Sequence, residues 1–300
     1  MRQYKHLDTL PTGQASDSVI EGCAVFEGGG WRGVYTQGVI DQLMINDINL
    51  SCSIGVSAGA LMAVNYLTGQ IGRGPYITLK YRHDSRMVGW KAFRDNQGIT
   101  GFKFMHEDVD RIWPTDTERF HDPGKRLVCV ATSLSDGSSR YFEKDVDLDF
   151  WRGMRAGATV PFLSKPVEMT EGLFLDGGVN DPVPILWALN QNYRNIVVVK
   201  TRAAAWRQKE NYPMAACDAW YHAYPQFKER LSHMKETTNR IMDLIDDLER
   251  SGRIFVICPD RDLDVPIFCG DMEKLGDLYN LGRRDTSQCT DRLLAYLHRS

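Results

Sequence analysis

This 300-residue sequence predicts an α/β fold with parallel strands. Near the N-terminus, short apolar runs alternate with helical patterns: Cys23-Ala24-Val25-Phe26, Val34 to about Asn46, Ser51-Cys52-Ser53-Ile54, and Ala58-Gly59-Ala60-Leu61-Met62-Ala63-Val64. A strand–helix–strand–helix succession implies parallel strands and a right-handed crossover. The strand runs are apolar throughout, as strands covered on both faces are. Apolar residues make up 43% of the chain, enough for a large core.

Residues 1 to about 20 are polar and read as a loose arm, so the predicted organisation is an arm over 1–21 and a single domain over 22–300. In the first helix Val39, Ile40, Leu43 and Met44 share one face. Leu127 to Ala131 reads as a buried strand, Asp136-Gly137 as a turn, and Arg140 to Glu143 as an antiparallel return. Leu173-Phe174-Leu175 is a strand ending at Asp176, and Ile196 to Val199 is the clearest buried strand. Phe227, Leu231, Met234, Ile241, Leu244, Ile245 and Leu248 form the apolar stripe of one long amphipathic helix. Ile254 to Ile257 is a last strand stopped before Pro259, and two short helices are expected to close the chain.

Composition excludes several classes. The net charge of −3 gives no reason to expect nucleic acid. No apolar stretch is long enough to span a membrane. The N-terminus lacks an apolar signal core, and the seven cysteines are scattered without a CxxC pair, which points to a reducing compartment and the cytoplasm. There is no HExxH, no clustered Cys/His set and no DxDxDG loop, so no metal and no other cofactor is expected.

The chemistry-bearing residues fall in three ordered elements. Gly28-Gly29-Gly30-Trp31-Arg32-Gly33 follows the first strand. Without side chains, Gly28, Gly29 and Gly30 can bring backbone N–H groups up to a ligand, as an oxyanion requires. Arg32 either adds positive charge beside them or pins the loop to a carboxylate. Gly55-Val56-Ser57-Ala58-Gly59 follows the second strand. Glycines at 55 and 59 permit a sharp turn that exposes the Ser57 hydroxyl at a helix N-terminus. Asp176-Gly177-Gly178 closes a later strand, where a carboxylate faces the ligand crevice of an open α/β sheet. Asp176 is either a base toward Ser57 or a turn aspartate bonded to its own backbone.

Two rival readings are weaker. The glycine hexad also fits GxGxxG, but a dinucleotide site expects a carboxylate after the next strand, where this chain has the serine turn. An α/β-hydrolase triad needs a histidine after the acid, and His222, His233 and His298 all lie in polar helical stretches that read as surface.

The order GGGxRG, GxSxG, DGG resembles the patatin-like phospholipase family. Ala156 to Phe162, Pro182, Pro184 and Met272 to Asp285 extend the resemblance to about residues 22–290. Asp181 departs from it, standing where many members carry asparagine. The resemblance implies a three-layer α/β/α sandwich with a mostly parallel central sheet, and a lipid acyl hydrolase with a Ser-Asp dyad. Ser57 would be the nucleophile and Asp176 the base. Gly28, Gly29, Gly30, Arg32, Gly33 and Ala58 would form the oxyanion hole, and Gly55, Gly59, Gly177 and Gly178 would shape the turns. The expected partner is a lipid or other acyl-ester substrate. Acyl transfer through the same intermediate, and a non-catalytic scaffold on the same fold, are the alternatives. Tyr76 to Met105 is rich in aromatics and bases, and reads either as a solvated segment or as a cover whose cations meet an anionic membrane.

Overall fold

The computed structural model describes residues 2–261 and 264–299. Its centre is a sheet of eight strands: β1 (Ile20–Phe26), β2 (Leu50–Val56), β3 (Arg126–Ser133), β4 (Ser139–Glu143), β5 (Val167–Met169), β6 (Gly172–Asp176), β7 (Ile196–Val199) and β8 (Phe255–Ile257). The order is β8-β7-β1-β2-β3-β6-β5, with β4 also paired to β3. β8, β7, β1, β2 and β3 run parallel, whereas β4, β5 and β6 add antiparallel pairings.

Alternate strand residues feed two cores. Ala24, Phe26, Cys129, Val197 and Val199 pack on one face with α1 (Gly33–Ile45) and α2 (Ala58–Thr68). Cys23, Val25, Ile54, Val128, Val130 and Val198 pack on the other with Val183, Ile185, Met242 and Ile245. The result is a mostly parallel sheet between two helical layers, in agreement with the α/β expectation. α1 and α2 are buried on nearly every side, polar residues of α1 included, which is why their periodicity is weak. α3 (Arg73–Tyr81) extends the first layer and is followed by α4 (Trp90–Asn96), and α5 (Phe150–Gly157) covers the β3–β6 end.

Three expectations change. Residues 2–19 are not loose: Tyr4 and Ala15 are buried, and Gly13–Gln14 pairs antiparallel with Gln70–Ile71. The stripe from Phe227 to Leu248 belongs to two helices, α6 (Pro225–Ser232) and α7 (Met234–Arg250), separated at His233, which has a φ of −117° and a ψ of 16°. Phe227 and Leu231 pack with Leu175 and Tyr221, whereas Met242 and Ile245 pack under the sheet, so one straight helix would not serve both cores. The chain closes with one 26-residue helix, α8 (Met272–Leu297), not two short ones. Its glycines mark close packing instead of breaks. A Cβ on Gly282 would lie 2.2 Å from the Tyr35 carbonyl oxygen of α1, and one on Gly276 would lie 2.1 Å from the Tyr4 ring.

From the α1 side the contact is as tight, since a Cβ on Gly38 would lie 2.1 Å from the Tyr279 carbonyl oxygen. Gly38→Ala is therefore expected to destabilise the protein by about 1–3 kcal/mol, despite the better helix propensity of alanine. Thermal unfolding reads this as a lower Tm, and an unchanged or raised Tm would contradict the tight crossing.

Candidate active site

Ser57 stands between the end of β2 and the first residue of α2, with a φ of 53° and a ψ of −125°. That left-handed backbone is strained for a serine and is the geometry of an exposed elbow. The flanking glycines make the elbow possible. A Cβ on Gly55 would lie 2.5 Å from the Ala60 nitrogen, and one on Gly59 would lie 2.6 Å from the Phe26 and Glu27 carbonyl oxygens.

Sheet register brings the aspartate to the serine. Val56 pairs with Val130 on β3, and Asp176 pairs with the next residue, Ala131. The Asp176 carboxylate lies near enough to the Ser57 side chain for that group to lower its pKa, and it accepts a hydrogen bond from the Gly178 N–H at 2.9 Å. Thr132 Oγ1 donates to the Asp176 carbonyl oxygen at 2.9 Å, fixing the turn from below. Gly177 is required there, because a Cβ would meet the Val130 carbonyl oxygen at 2.3 Å. Burial pushes the Asp176 carboxyl up to about 6, with the Ser57 side chain and the Gly178 N–H pulling the other way.

The glycine loop closes the third side. A Cβ on Gly28 would lie 3.3 Å from the Ser57 Cβ, so this glycine lets the loop approach the hydroxyl. Gly30 has a φ of 56°. Among the described residues, the N–H groups of Gly29, Gly30 and Ala58 have no hydrogen-bond acceptor, whereas Trp31 N–H is taken by the Ile267 carbonyl oxygen at 3.1 Å. Gly30 and Ala58 begin their helical turns, where N–H groups point outward unpaired. Gly28, Gly29, Gly30, Arg32 and Ala58 line the same cavity as Ser57 and Asp176. Gly33 does not; its Cα packs against α2, where a Cβ would lie 2.9 Å from Met62.

Sequence reading missed Glu27. This buried carboxylate, directly before the loop, accepts from Thr201 N–H and, at 3.0 Å, from Thr201 Oγ1. Burial raises its pKa, opposed by the Thr201 hydrogen bonds and the Arg32 and Lys200 charges. The Arg32 charge thus acts on Glu27, the nearest acid before the loop in sequence. The signal was present as an acid at a strand's carboxyl end, but its partner Thr201 comes from a distant loop.

The cavity has a volume of about 710 Å³. Its walls are mainly apolar, with Leu61, Met62, Ile77, Met87 and Met105 on one side and Trp206, Tyr212 and Met234 on the other. The segment 76–105 does contribute walls, but its cations are largely engaged within the protein. Arg82 donates to the Cys269 carbonyl oxygen at 2.7 Å and lies over Trp31, Arg86 pairs with Asp84 and Asp108, Arg94 pairs with Asp95, and Lys80 bonds Tyr76. His106 lies at the cavity wall, edge-on to Trp151 at 5.0 Å. Among the described residues no histidine hydrogen-bonds Asp176, and His233 Nδ1 instead contacts the Glu229 carbonyl oxygen at 2.9 Å.

Comparison with known proteins adds the family. Residues 24–189 match the model of the patatin-like phospholipase family, and residues 224–298 match a domain of unknown function, DUF6363. An uncharacterised Escherichia coli protein, YjjU, is 25% identical over 268 residues, covering 86% of this chain and 74% of its own length. A probable lipid hydrolase, 463L, of Invertebrate iridescent virus 6 is 24% identical over 61% of this chain and 71% of its own. The lysophospholipase NTE1 of Saccharomyces cerevisiae is 28% identical over 63% of this chain but 11% of its own. The structure of VipD from Legionella pneumophila shares the fold, with a TM-score of 0.55 and 13% identity over 96% of this chain and 73% of that one. The chain belongs to the patatin-like phospholipase family, a family of lipid hydrolases.

Burial of Asp176 carries a stability consequence. A free aspartate titrates near pH 4, roughly two units below the folded value. The raised pKa means that the protonated form is favoured by folding, so the contribution is present below about pH 4 and is lost as pH rises through about 6. Asp176→Asn keeps the acceptor for Gly178 N–H but removes the buried charge. Its Tm relative to wild type is expected to be higher at pH 8 than at pH 4.5. A Tm difference that does not change with pH would show that the carboxylate is not penalised by burial.

Proposed function

We propose that this family member hydrolyses a lipid acyl ester through an acyl-enzyme on Ser57, with Asp176 as the base. The observation that carries the reading is that Ser57, Asp176 and the unpaired N–H groups of Gly29, Gly30 and Ala58 line one mainly apolar cavity, with Ser57 close enough to Asp176 to lower its pKa. In the first step Asp176 takes the hydroxyl proton as Ser57 Oγ attacks the ester carbonyl. The N–H groups of Gly29, Gly30 and Ala58 stabilise the tetrahedral oxyanion. Collapse breaks the ester C–O bond, and the leaving alcohol takes the proton from Asp176. A water then attacks the acyl-serine, again giving a proton to Asp176; collapse breaks the bond to Ser57 Oγ, which takes that proton back, and the carboxylic acid departs. A base near 6 is well matched to neutral pH. The apolar walls favour an acyl chain, and the reduced cysteines fit a cytoplasmic enzyme.

A fluorophosphonate should label Ser57, read by mass spectrometry of the modified peptide. Ser57→Ala should remove the label and lower ester hydrolysis by about 10⁴-fold or more. Asp176→Asn should be nearly as damaging, because an amide cannot accept the serine proton. Wild-type kcat/KM should rise with pH through about 6, where the base ionises. Turnover retained in a folded Ser57→Ala protein would refute the mechanism.

We also infer that the cavity rim meets an anionic membrane surface. Trp90 and Phe93 are exposed on α4 beside Lys91, and Val88 and Ile99, on either side of that helix, line the cavity. No described helix is long and apolar enough to cross a membrane, so contact would be peripheral. Replacing Trp90 and Phe93 with alanine and Lys91 with glutamine should weaken sedimentation with phosphatidylglycerol vesicles while leaving hydrolysis of a water-soluble ester intact. Unchanged sedimentation would refute the rim.

A further inference from the structure

A second cleft, of about 540 Å³, lies beside the first and shares no lining residue with it. The turn after Asp176 walls both: Gly178 and Val179 line the first, Asn180 and Asp181 the second. α7 does the same, with Met234 and Thr238 toward one and Arg240, Ile241 and Leu244 toward the other.

Asp181 is the informative residue. It is only 8% exposed, and its Oδ2 accepts from Tyr141 Oη at 2.9 Å. Among the described residues no lysine or arginine lies at ion-pair distance, and burial raises its pKa to about 6 with only the Tyr141 hydrogen bond opposing. A buried carboxylate without a cation is costly, and holding Tyr141 does not call for one, since an amide oxygen accepts the same hydrogen bond. Its surroundings offer acceptors. Asn180 Nδ2 donates to Ser139 Oγ at 2.9 Å, which leaves the Asn180 carbonyl oxygen free to accept. Tyr141 Oη donates to Asp181 and keeps a lone pair. The one cation lining the cleft is Arg240, exposed, with its Nε on the Glu236 carbonyl oxygen at 3.3 Å and no ion pair among the described residues. Ile241 and Leu244 supply apolar wall.

We propose that this cleft binds a small zwitterion, its ammonium on Asp181, its anionic group on Arg240 and its carbon skeleton against Ile241 and Leu244. An ammonium brings three N–H donors to a site of acceptors and supplies the cation that Asp181 lacks. Two sources share this chemistry: a free amino acid, and a phosphoethanolamine headgroup released from phospholipid. The proposal does not depend on ester hydrolysis, so it survives or fails separately.

Isothermal titration of the full chain with leucine and with phosphoethanolamine tests it. One of them should bind saturably, and the one that does identifies the source. Phosphocholine, whose quaternary nitrogen has no N–H, should bind at least about tenfold more weakly than phosphoethanolamine if the headgroup is the ligand. Asp181→Asn and Arg240→Gln should each weaken binding about tenfold or more. Arg240 is exposed, so Arg240→Gln should fold and hydrolyse a soluble ester at the wild-type rate, which keeps the test valid if Asp181→Asn misfolds. Failure of both zwitterions to saturate by about 10 mM, or affinity unchanged in Arg240→Gln, would overturn the proposal.

Discussion

One strand, β3, sets the geometry on which the candidate site depends. Its residues Arg126 to Val130 pair with β2, and its last residues, Ala131 to Ser133, pair with β6. Two neighbouring positions, Val130 and Ala131, therefore hold the residue before Ser57 and Asp176 itself. No long side chain has to reach across the fold. A slip of one residue in either pairing would turn Asp176 to the opposite face of the sheet. Small residues crowd around the same point for this reason. Cβ atoms on Gly157 and Gly177 would each lie 2.3 Å from the Val130 carbonyl oxygen, so α5 and the aspartate turn both close onto β3 only as glycines.

The surrounding layers hold strain and charge that the site alone would not tolerate. Ser57 sits at a positive φ, and Asp176 is buried without a cation. Asp41 has a similar cost elsewhere, its carboxyl raised to about 7 by burial while Tyr279 Oη donates at 2.7 Å and Gly72 N–H at 3.1 Å. That aspartate ties α1 to α8 and to the turn before α3, behind the helix that begins at the glycine loop. Each buried acid is matched by hydrogen bonds from N–H or O–H groups instead of by an ion pair. Glu27 follows the same pattern through Thr201, and the Arg32 and Lys200 charges lower its pKa further.

Legibility followed the range of the constraint. The glycine loop, the serine elbow and the aspartate turn were readable because each needs backbone freedom within a few residues, and glycine records that need locally. The buried strands were readable because both faces are covered. The cavity walls were not, since Met62, Met105, Tyr212 and Met234 look like ordinary core residues until distant segments converge. The break at His233 has no glycine or proline to announce it, and arises because the two halves of the stripe serve different cores. The single closing helix was not legible either: inside α8, Gly276 and Gly282 are contact surfaces for Tyr4 and Tyr35, a role that only the folded chain reveals. Polarity alone made residues 2–19 look loose, although Tyr4 is an anchor.

The rival chemistries meet physical obstacles at particular atoms. A dinucleotide site would need the loop amides turned toward a pyrophosphate and an acid at the end of β2 for the ribose. That position instead holds the strained elbow, and Gly28 lets the loop close to within van der Waals contact of Ser57. A triad would need an imidazole between the serine and the acid. Among the described residues no histidine hydrogen-bonds Asp176; its carboxylate stands beside the Ser57 side chain and accepts from the Gly178 N–H. In a triad the acid stays ionised and only orients its histidine. Here the acid itself is the group whose proton affinity burial has raised toward neutrality, and that is the property a base acting directly on serine requires.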